Sequence, residues 1–262
     1  MSGNNFLGSM FGLTDKVAVV IGGGGHLCSA MARGLAQAGA SVAVLDVRPE
    51  KAELVAADIH FQTSVSTLAL GVNVTSKMSL ENALEFILKS YGRVDILVNG
   101  AGINAPTPFL EIKLEDWQAV MDSQITGTML GCQVFGSQML RQVSGSIINI
   151  SSASAGPPLS KAFAYSVAKA GIRNLTMNLA REWATQGVRV NAIRPGFFPT
   201  DWNRTNFITP DREHSILQHT PMARYGHPNE LIGATIWLAS SSSSFVTGSE
   251  ITVDGGFSCM SI

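Results

Sequence analysis

The chain has 262 residues, of which 45% are hydrophobic and 14% are charged, so it can bury a large core as one α/β domain spanning residues 1–262. Its net charge of −1 creates no strong field for nucleic acid or a membrane surface, and we expect neither as a partner. The three cysteines are widely spaced without a metal-binding pattern, which favours free thiols, no metal site and a cytoplasmic location. Residues 1–14 do not have the pattern of a secretion signal.

Short apolar runs alternate with longer segments of helical periodicity along the chain. In chain order, the predicted elements are strand 16–21, helix 27–38, strand 42–45, helix 50–59, strand 68–72, helix 79–91, strand 94–98, helix 114–140, strand 146–150, helix 163–185, strand 188–193, helix 229–240 and strand 250–253. This alternation predicts a doubly wound parallel sheet of about seven strands, a Rossmann fold with helices on both faces. The segment 197–227 has no clear period and is interpreted as a substrate lid.

A glycine-rich turn follows the first predicted strand. Four consecutive glycines begin at Gly22, His26 follows them, and the next predicted helix begins at Leu27. Glycines let the backbone approach a diphosphate, and a helix N-terminus offers free N–H groups with partial positive charge. Asp46 ends the second strand, where a carboxylate would bind the adenosine ribose and repel a 2′-phosphate. We therefore expect NAD in preference to NADP, although the nearby Arg48 could weaken that preference.

Tyr165 and Lys169 are four residues apart in a predicted helix, so they share one helix face. A free tyrosine titrates near 10 and is a poor base at neutral pH. Lowering its pKa by about 3 units requires roughly 4 kcal/mol, which one cation about 4 Å away supplies at an effective dielectric constant near 20. We predict that Lys169 is this cation and that an oxidised nicotinamide ring is a second. The alternative is a surface tyrosine beside a solvated lysine.

Several further motifs occur in a specific order around this pair. They are the glycine turn at Gly22, Asn99-Gly100-Ala101-Gly102, Ser152, Tyr165-x-x-x-Lys169, Asn191, Pro195-Gly196 and Asp254-Gly255-Gly256. On these residues the chain resembles the single-domain branch of the short-chain dehydrogenase/reductase superfamily. The resemblance covers residues from about 13 to 257 and implies an NAD(P)-dependent oxidoreductase that acts on CH–OH groups.

The resemblance also implies a role for individual residues. Ser152 would hydrogen-bond the substrate oxygen, Tyr165 would exchange the proton with it, and Lys169 would bind the nicotinamide ribose. The cofactor-binding residues implied are Gly22, Gly25, His26, Leu27, Asp46, Val47, Asn73, Val74, Asn99, Gly100, Ala101, Gly102, Tyr165, Lys169, Pro195, Gly196, Phe198 and Thr200. Asn191 and the turn at Asp254 would be structural.

The chain departs from the usual family pattern at several positions. The glycine motif has Ile21 in place of a threonine and His26 and Cys28 in place of two glycines. Asn73 stands where an aspartate is common, and Gly100 replaces the second asparagine of its motif. Gln124 takes the place of an asparagine that holds a water in a proton relay, so its catalytic role is in doubt and it could be an ordinary helix residue.

The substrate is the least determined feature of the sequence. Segments 158–161 and 195–204 most resemble D-mannonate oxidoreductase-like proteins, a branch assigned to sugar acids. Arg204 in the lid could pair with a carboxylate, or it could simply be solvated. We therefore expect a sugar, polyol or sugar acid. The alternatives are a ketoacyl or steroid-like carbonyl, or a non-catalytic sensor that binds a dinucleotide. The family further implies a homotetramer with helices 114–140 and 163–185 at one interface.

Overall fold

Seven parallel strands form one sheet in the computed structural model, which describes residues 3–200, 205 and 208–260. In chain order the strands are β1 (Val17–Ile21), β2 (Ser41–Asp46), β3 (Thr67–Gly71), β4 (Ile96–Asn99), β5 (Gly145–Ile150), β6 (Val188–Pro195) and β7 (Glu250–Val253). Their order across the sheet is β3-β2-β1-β4-β5-β6-β7, and every neighbouring pair is parallel. The predicted doubly wound Rossmann fold is confirmed.

The described helices cover both faces of this sheet. They are α1 (Gly3–Phe11), α2 (His26–Gln37), α3 (Pro49–Thr63), α4 (Lys77–Tyr91), α5 (Leu114–Met121), α6 (Gly127–Arg141), α7 (Phe163–Trp183), α8 (Pro210–Gln218) and α9 (Ile232–Ala239). Helices α2, α3 and α9 pack on one face, and α4, α6 and α7 pack on the other. None of the described helices is both long enough and apolar enough to cross a bilayer.

The central strand β1 shows why the sequence buries both faces. Val20 belongs to the core under α2 and α3, whereas Val19 and Ile21 belong to the core under α4 and α6. Successive side chains of a strand point to opposite faces, so a run of β-branched residues fills both layers. Val19 and Val20 are completely buried. A continuously apolar strand is therefore required at the centre of the sheet.

The order of the strands positions the functional site. β1 lies between β2 and β4, so the chain leaves β1 in one direction across the sheet and later returns to its other side. Such a switch point opens a crevice beyond the carboxyl ends of the strands. The glycine turn at Gly22 follows β1, and Gly100 follows β4, so both turns meet at this crevice.

Three segments differ from the sequence prediction. The predicted helix 114–140 is not regular, because a π-helical turn at Asp122–Thr126 separates α5 from α6. Helix α1 was not predicted, and neither was α8 in the segment interpreted as a lid. The hydroxyls of Ser241 and Ser242 donate hydrogen bonds to the Met10 carbonyl, at 3.2 and 2.8 Å. Two residues of the serine run 240–244 therefore hold the C-terminal end of α1.

Candidate active site

A cavity of about 520 Å³ opens at the carboxyl ends of the strands. The predicted site residues that line it are Gly22, Gly25, His26, Leu27, Gly100, Gly102, Gln124, Ser152, Tyr165, Lys169, Pro195, Gly196, Phe198 and Thr200. These residues come from the carboxyl ends of four strands and the turns after them, from helices α2 and α7, and from the π-helical turn at Asp122–Thr126. The sheet topology thus brings together most of the residues chosen from the sequence.

The glycine turn can hold a phosphate group against the backbone. Gly22 has a φ of +76°, and a Cβ added there would lie 2.8 Å from the backbone nitrogen of Ala101. Helix α2 begins at His26 after an extended Gly25, and no side chain among the described residues caps it. Its first N–H groups are therefore available to an anion, and the helix dipole favours negative charge there.

Cys28 and Gly100, which both depart from the family pattern, compensate for each other in size. A Cβ added at Gly100 would collide with the sulfur of Cys28. Cys28 is buried, and burial raises the pKa of its thiol to about 12. The larger residue on α2 is accommodated because the facing turn after β4 has lost its side chain. Cys28 therefore packs as a neutral thiol on the cavity floor.

Asp46 fixes the end of β2 beside the glycine turn. One carboxylate oxygen accepts a hydrogen bond from the Gly24 nitrogen at 3.1 Å. The other accepts from the backbone nitrogen of Arg48 at 3.1 Å and from its Nε at 3.3 Å. Asp46 is only 5% exposed, so its carboxylate is a fixed negative charge beside the crevice. Arg48 neutralises part of that charge.

The hydroxyl groups of Ser152 and Tyr165 meet in the cavity. Ser152 follows β5, and its Oγ accepts hydrogen bonds from the nitrogen and the hydroxyl of Ser154, at 3.2 and 3.1 Å. Ser152 also hydrogen-bonds the Tyr165 phenol. The buried Lys169 lies 5.4 Å from the centre of the Tyr165 ring, and its Nζ donates to the Ile150 carbonyl at 2.6 Å. The two hydroxyl groups can therefore act on one substrate oxygen, with the Lys169 ammonium close to the tyrosine ring.

The electrostatics of this group differ from the sequence prediction. Burial raises the pKa of Tyr165 above its usual value, and the hydrogen bond with Ser152 offsets only part of that rise. Burial also lowers the pKa of Lys169 to about 8. The sequence predicted that Lys169 and an oxidised nicotinamide ring together lower the pKa of the phenol. In the protein without cofactor, Lys169 does not lower that pKa below its usual value, because desolvation dominates both groups. At neutral pH the phenol is protonated, which is the form that donates a proton.

Gln124 lies in the π-helical turn and lines the cavity. Its Nε2 donates to the Ile103 carbonyl at 2.9 Å, and a Cβ added at Gly102 would collide with its amide. Its Oε1 is buried and has no hydrogen-bond partner among the described residues. The longer side chain thus packs against the turn after β4 and leaves one acceptor for a further group.

Some predicted residues lie away from this cavity. Asn99 points into the core, where its Nδ2 donates to Asn149 Oδ1 at 2.9 Å and to Cys132 Sγ at 3.3 Å. Its side chain is thus buried between strands and helices and does not contact the cavity. The others outside the cavity lining are Asp46, Val47, Asn73, Val74 and Ala101. Arg204 lies outside the described residues.

Comparison with known proteins identifies the family. A family model described as enoyl-(acyl carrier protein) reductase matches residues 26–258. The chain is 43% identical to UxuB of Bacillus subtilis (strain 168), named an uncharacterized oxidoreductase, over 94% of this chain and 95% of the relative. It is 38% identical to a 3-oxoacyl-(acyl-carrier-protein) reductase of Synechocystis, over 94% of this chain and 98% of the relative. The chain belongs to the short-chain dehydrogenase/reductase family.

The structural comparison agrees with this assignment. A gluconate 5-dehydrogenase from Burkholderia cenocepacia J2315, solved in complex with NADP and tartrate, has a TM-score of 0.91 and 31% identity. The two structures match over 96% of this chain and 98% of that chain. This short-chain dehydrogenase/reductase is therefore an oxidoreductase that acts on CH–OH groups, and it binds a nicotinamide dinucleotide. The resemblance stated from the sequence is confirmed.

The described residues fit such a cofactor. Gly22 and Gly25 leave a cradle without side chains, and the open N-terminus of α2 faces it. Gln124, with its buried acceptor, and Lys169 line the same cavity. A dinucleotide has an anionic centre and a polar ring at one end, which matches this distribution of backbone donors and polar side chains.

The sequence reasoning did not select several other residues that line the cavity. They include Ile103, Asn104, Ser154, Leu159, Ala162, Ile208 and Arg212. Arg212 lies on α8, whose start had a recognisable signal: Thr209 accepts a hydrogen bond from the Arg212 nitrogen at 3.3 Å, and Pro210 follows it. No local pattern shows, however, that α8 faces the cavity.

Proposed function

We propose that this short-chain dehydrogenase/reductase transfers a hydride between NAD and the carbonyl or secondary alcohol of a sugar, polyol or sugar acid. The observation that carries the proposal is the meeting of the Ser152 and Tyr165 hydroxyls in a cavity with Lys169 behind them. Asn104 and Ser154, which carry an amide and a hydroxyl group, also line the cavity, and such polar side chains suit a polyhydroxylated ligand. The gluconate 5-dehydrogenase likeness supports this substrate class.

The chemistry can be assigned to three side chains. When bound, NAD would provide the hydride for reduction and the hydride acceptor for oxidation. Tyr165 donates its phenolic proton to the substrate oxygen in reduction and accepts it in oxidation. Ser152 donates a hydrogen bond to the same oxygen and stabilises the charge that develops on it. Lys169 binds the nicotinamide ribose, and its charge favours the ionised phenol when oxidation is required.

We propose that the remaining predicted residues hold the cofactor along the crevice. The turn 22–27 would bind the diphosphate, and Asp46 and Val47 would bind the adenosine ribose. Asn73 and Val74 follow β3 and would lie beside the adenine. Segment 99–102 would pack along the cofactor. The Asn99 side chain would contribute indirectly, by anchoring this segment to the core through its hydrogen bonds to Asn149 and Cys132. Residues 195–200 would hold the carboxamide, while Gln124 would support the relay through its unpartnered oxygen.

The preference for NAD over NADP is supported by Asp46. Its buried carboxylate is fixed by Gly24 and Arg48 at the position where a ribose 2′-phosphate would lie. A 2′-phosphate and the Asp46 carboxylate are both negative and would repel each other there. A ribose hydroxyl, in contrast, can donate a hydrogen bond to the carboxylate. Because Arg48 pairs with Asp46 at 3.3 Å, we expect NADP to be used weakly rather than excluded.

A ketoacyl substrate is the second candidate, and the 38% identity to a 3-oxoacyl-(acyl-carrier-protein) reductase favours it. A carrier protein of acidic character would need a basic surface around the cavity mouth. Helix α8, which contributes Arg212 to the cavity, also carries Asp211 and Glu213. The charge on this helix is therefore mixed, and we rank the ketoacyl substrate below the sugar acid.

We also propose that residues 1–262 form one domain with a lid at 197–227, and that the protein is a cytoplasmic homotetramer. Exposed apolar side chains on α5 and α7 support the oligomer: Leu114 is 76% exposed, Val167 49% and Met177 42%. The three free cysteines support a reducing compartment.

Light scattering after size-exclusion chromatography would give the mass of the assembly. A monomer at micromolar concentration would contradict the homotetramer.

A substrate panel tests the proposed function. Purified protein is mixed with NAD and with NADP and then with aldonates, alditols, aldoses, a β-ketoacyl thioester and a steroid ketone, in both reaction directions. Absorbance of the reduced nicotinamide reports turnover. We expect a sugar-derived compound with NAD to give the highest kcat/KM. Turnover confined to the thioester or the steroid would contradict the proposed substrate class.

A further inference from the structure

We propose that Arg212 binds a carboxylate of the substrate, so that the enzyme selects sugar acids over neutral polyols. This inference rests on the proposed function, because it assigns the substrate class of the same site. Arg212 lies on α8 and lines the cavity that contains Ser152 and Tyr165. It is distinct from Arg204, which the sequence suggested for this role and which lies outside the described residues.

The charge of the cavity lining favours an anionic ligand. Within the described part of the chain, the lining contains His26, Lys169 and Arg212 but neither aspartate nor glutamate. His26 belongs to the glycine turn, where the cofactor diphosphate would bind. Lys169 is buried behind Tyr165 and donates to the Ile150 carbonyl. Arg212 is therefore the cation among the described lining residues that can serve the substrate.

Contacts on two sides fix the position of Arg212 at the cavity. One terminal nitrogen of its guanidinium donates to the Ser160 hydroxyl at 2.6 Å. Ser160 belongs to the segment that leads from Ser152 to α7, and its neighbour Leu159 lines the cavity. On the other side, the Thr209 cap and the buried Ile216 hold α8 against the protein. The guanidinium thus faces the same segment that carries the reactive hydroxyl.

The chemistry of a half-buried guanidinium suits a carboxylate. Burial lowers the pKa of Arg212, but an arginine side chain stays charged in proteins. A cation partly removed from water interacts more strongly with an anion, and the planar guanidinium can donate two parallel hydrogen bonds to one carboxylate. A neutral alditol offers only hydroxyl groups at that position. The arrangement therefore discriminates an aldonate from the corresponding alditol.

The experiment compares matched substrates in matched variants. Wild type, Arg212→Met, Arg212→Lys and the control Arg141→Met are assayed with D-gluconate and with D-glucitol. Arg141 ends α6 and pairs with Gln138 on an exposed surface, so Arg141→Met removes the same charge away from the cavity. The affinity for NADH is measured for each variant. Binding of tartrate and of D-gluconate to the protein–NADH complex is measured by calorimetry.

We expect Arg212→Met to lower kcat/KM for D-gluconate by about 10- to 100-fold, from the loss of charge-assisted hydrogen bonds. The value for D-glucitol should change less than about threefold, and Arg212→Lys should recover only part of the loss, since a lysine cannot form the bidentate pair. Arg141→Met should behave as wild type. The NADH affinity should be the same in all four proteins.

Each contrary result has its own meaning. Equal losses for D-gluconate and D-glucitol would overturn the inference, and a parallel loss of NADH affinity would assign Arg212 to the cofactor. If the wild type turns over no sugar compound but binds carboxylates in an Arg212-dependent manner, the proposed function fails and the anion site stands. Carboxylate binding that is absent in the wild type, or unchanged in Arg212→Met, would refute the anion site directly.

Discussion

The two walls of the cavity are built by different means. The cofactor wall, residues 22–27 and 100–102, depends on missing side chains: Cβ atoms at Gly22, Gly100 or Gly102 would each overlap a neighbour. The substrate wall, residues 152–162 and 208–212, depends on side chains that meet across loops, such as Arg212 and Ser160. A backbone cradle accepts one common cofactor, whereas side chains on loops can be exchanged to select a substrate.

The largest expected effect comes from removing the Tyr165 hydroxyl, which would exchange the proton with the substrate. Tyr165→Phe keeps the ring but lacks the proton donor, so kcat should fall about 10²- to 10⁴-fold for every substrate. The affinity for NADH should be nearly unchanged, because the phenol hydroxyl acts on the substrate. Steady-state kinetics and fluorescence titration provide the two readouts. Turnover at the wild-type rate would refute the assigned acid/base.

A change in the cofactor wall should affect all substrates equally. Gly22→Ala places a side chain at a φ of +76°, only 2.8 Å from the Ala101 nitrogen, so the turn must shift. We expect the dissociation constant for NADH to rise about tenfold, since strain of this kind costs about 1–3 kcal/mol. The control is Gly233→Ala, because a Cβ there meets nothing within 4 Å. Equal NADH affinities in the two variants would show that the cradle is not needed.

The carboxylate of Asp46, which is hydrogen-bonded to the cofactor wall at Gly24, should set the choice of cofactor. Asp46→Ala removes the carboxylate that would repel a 2′-phosphate and leaves Arg48 without its ion-pair partner. The ratio of kcat/KM with NAD to that with NADP should fall at least about tenfold, the size expected for one hydrogen bond to a charged group. Kinetics with both cofactors measure this ratio. A ratio that stays the same would place the ribose elsewhere.

The smallest expected effect concerns Gln124, which lines the cavity from the π-helical turn. Gln124→Asn shortens the side chain and breaks its hydrogen bond to the Ile103 carbonyl. The free energy of unfolding should fall by about 1 kcal/mol, while kcat should change less than about fivefold, because the amide remains. Chemical denaturation and kinetics separate the two effects. A loss of kcat as large as that of Tyr165→Phe would make Gln124 essential to the proton relay.

The sequence predicts the cofactor wall better than the substrate wall, and the reason is physical. Strand period, glycines and the Tyr165–Lys169 spacing are local patterns, and the sheet order follows from alternating elements. The Arg212–Ser160 contact joins residues 52 positions apart, so no local pattern contains it. Helix α1 was missed for a similar reason, since Ser241 and Ser242 hold its end from more than 230 positions away. The π-helical turn around Gln124 likewise leaves no periodic signal.

Titration of Tyr165 tests most directly how the acid/base group works. Carbon-13 NMR on protein labelled at the tyrosine Cζ follows ionisation, and Tyr165→Phe assigns the signal among the three tyrosines. Without cofactor, we predict a pKa above the ordinary value near 10, because burial outweighs the Ser152 hydrogen bond. With NAD bound, the positive nicotinamide and Lys169 should lower that pKa. A value already near neutrality without cofactor, or no decrease with it, would contradict this mechanism.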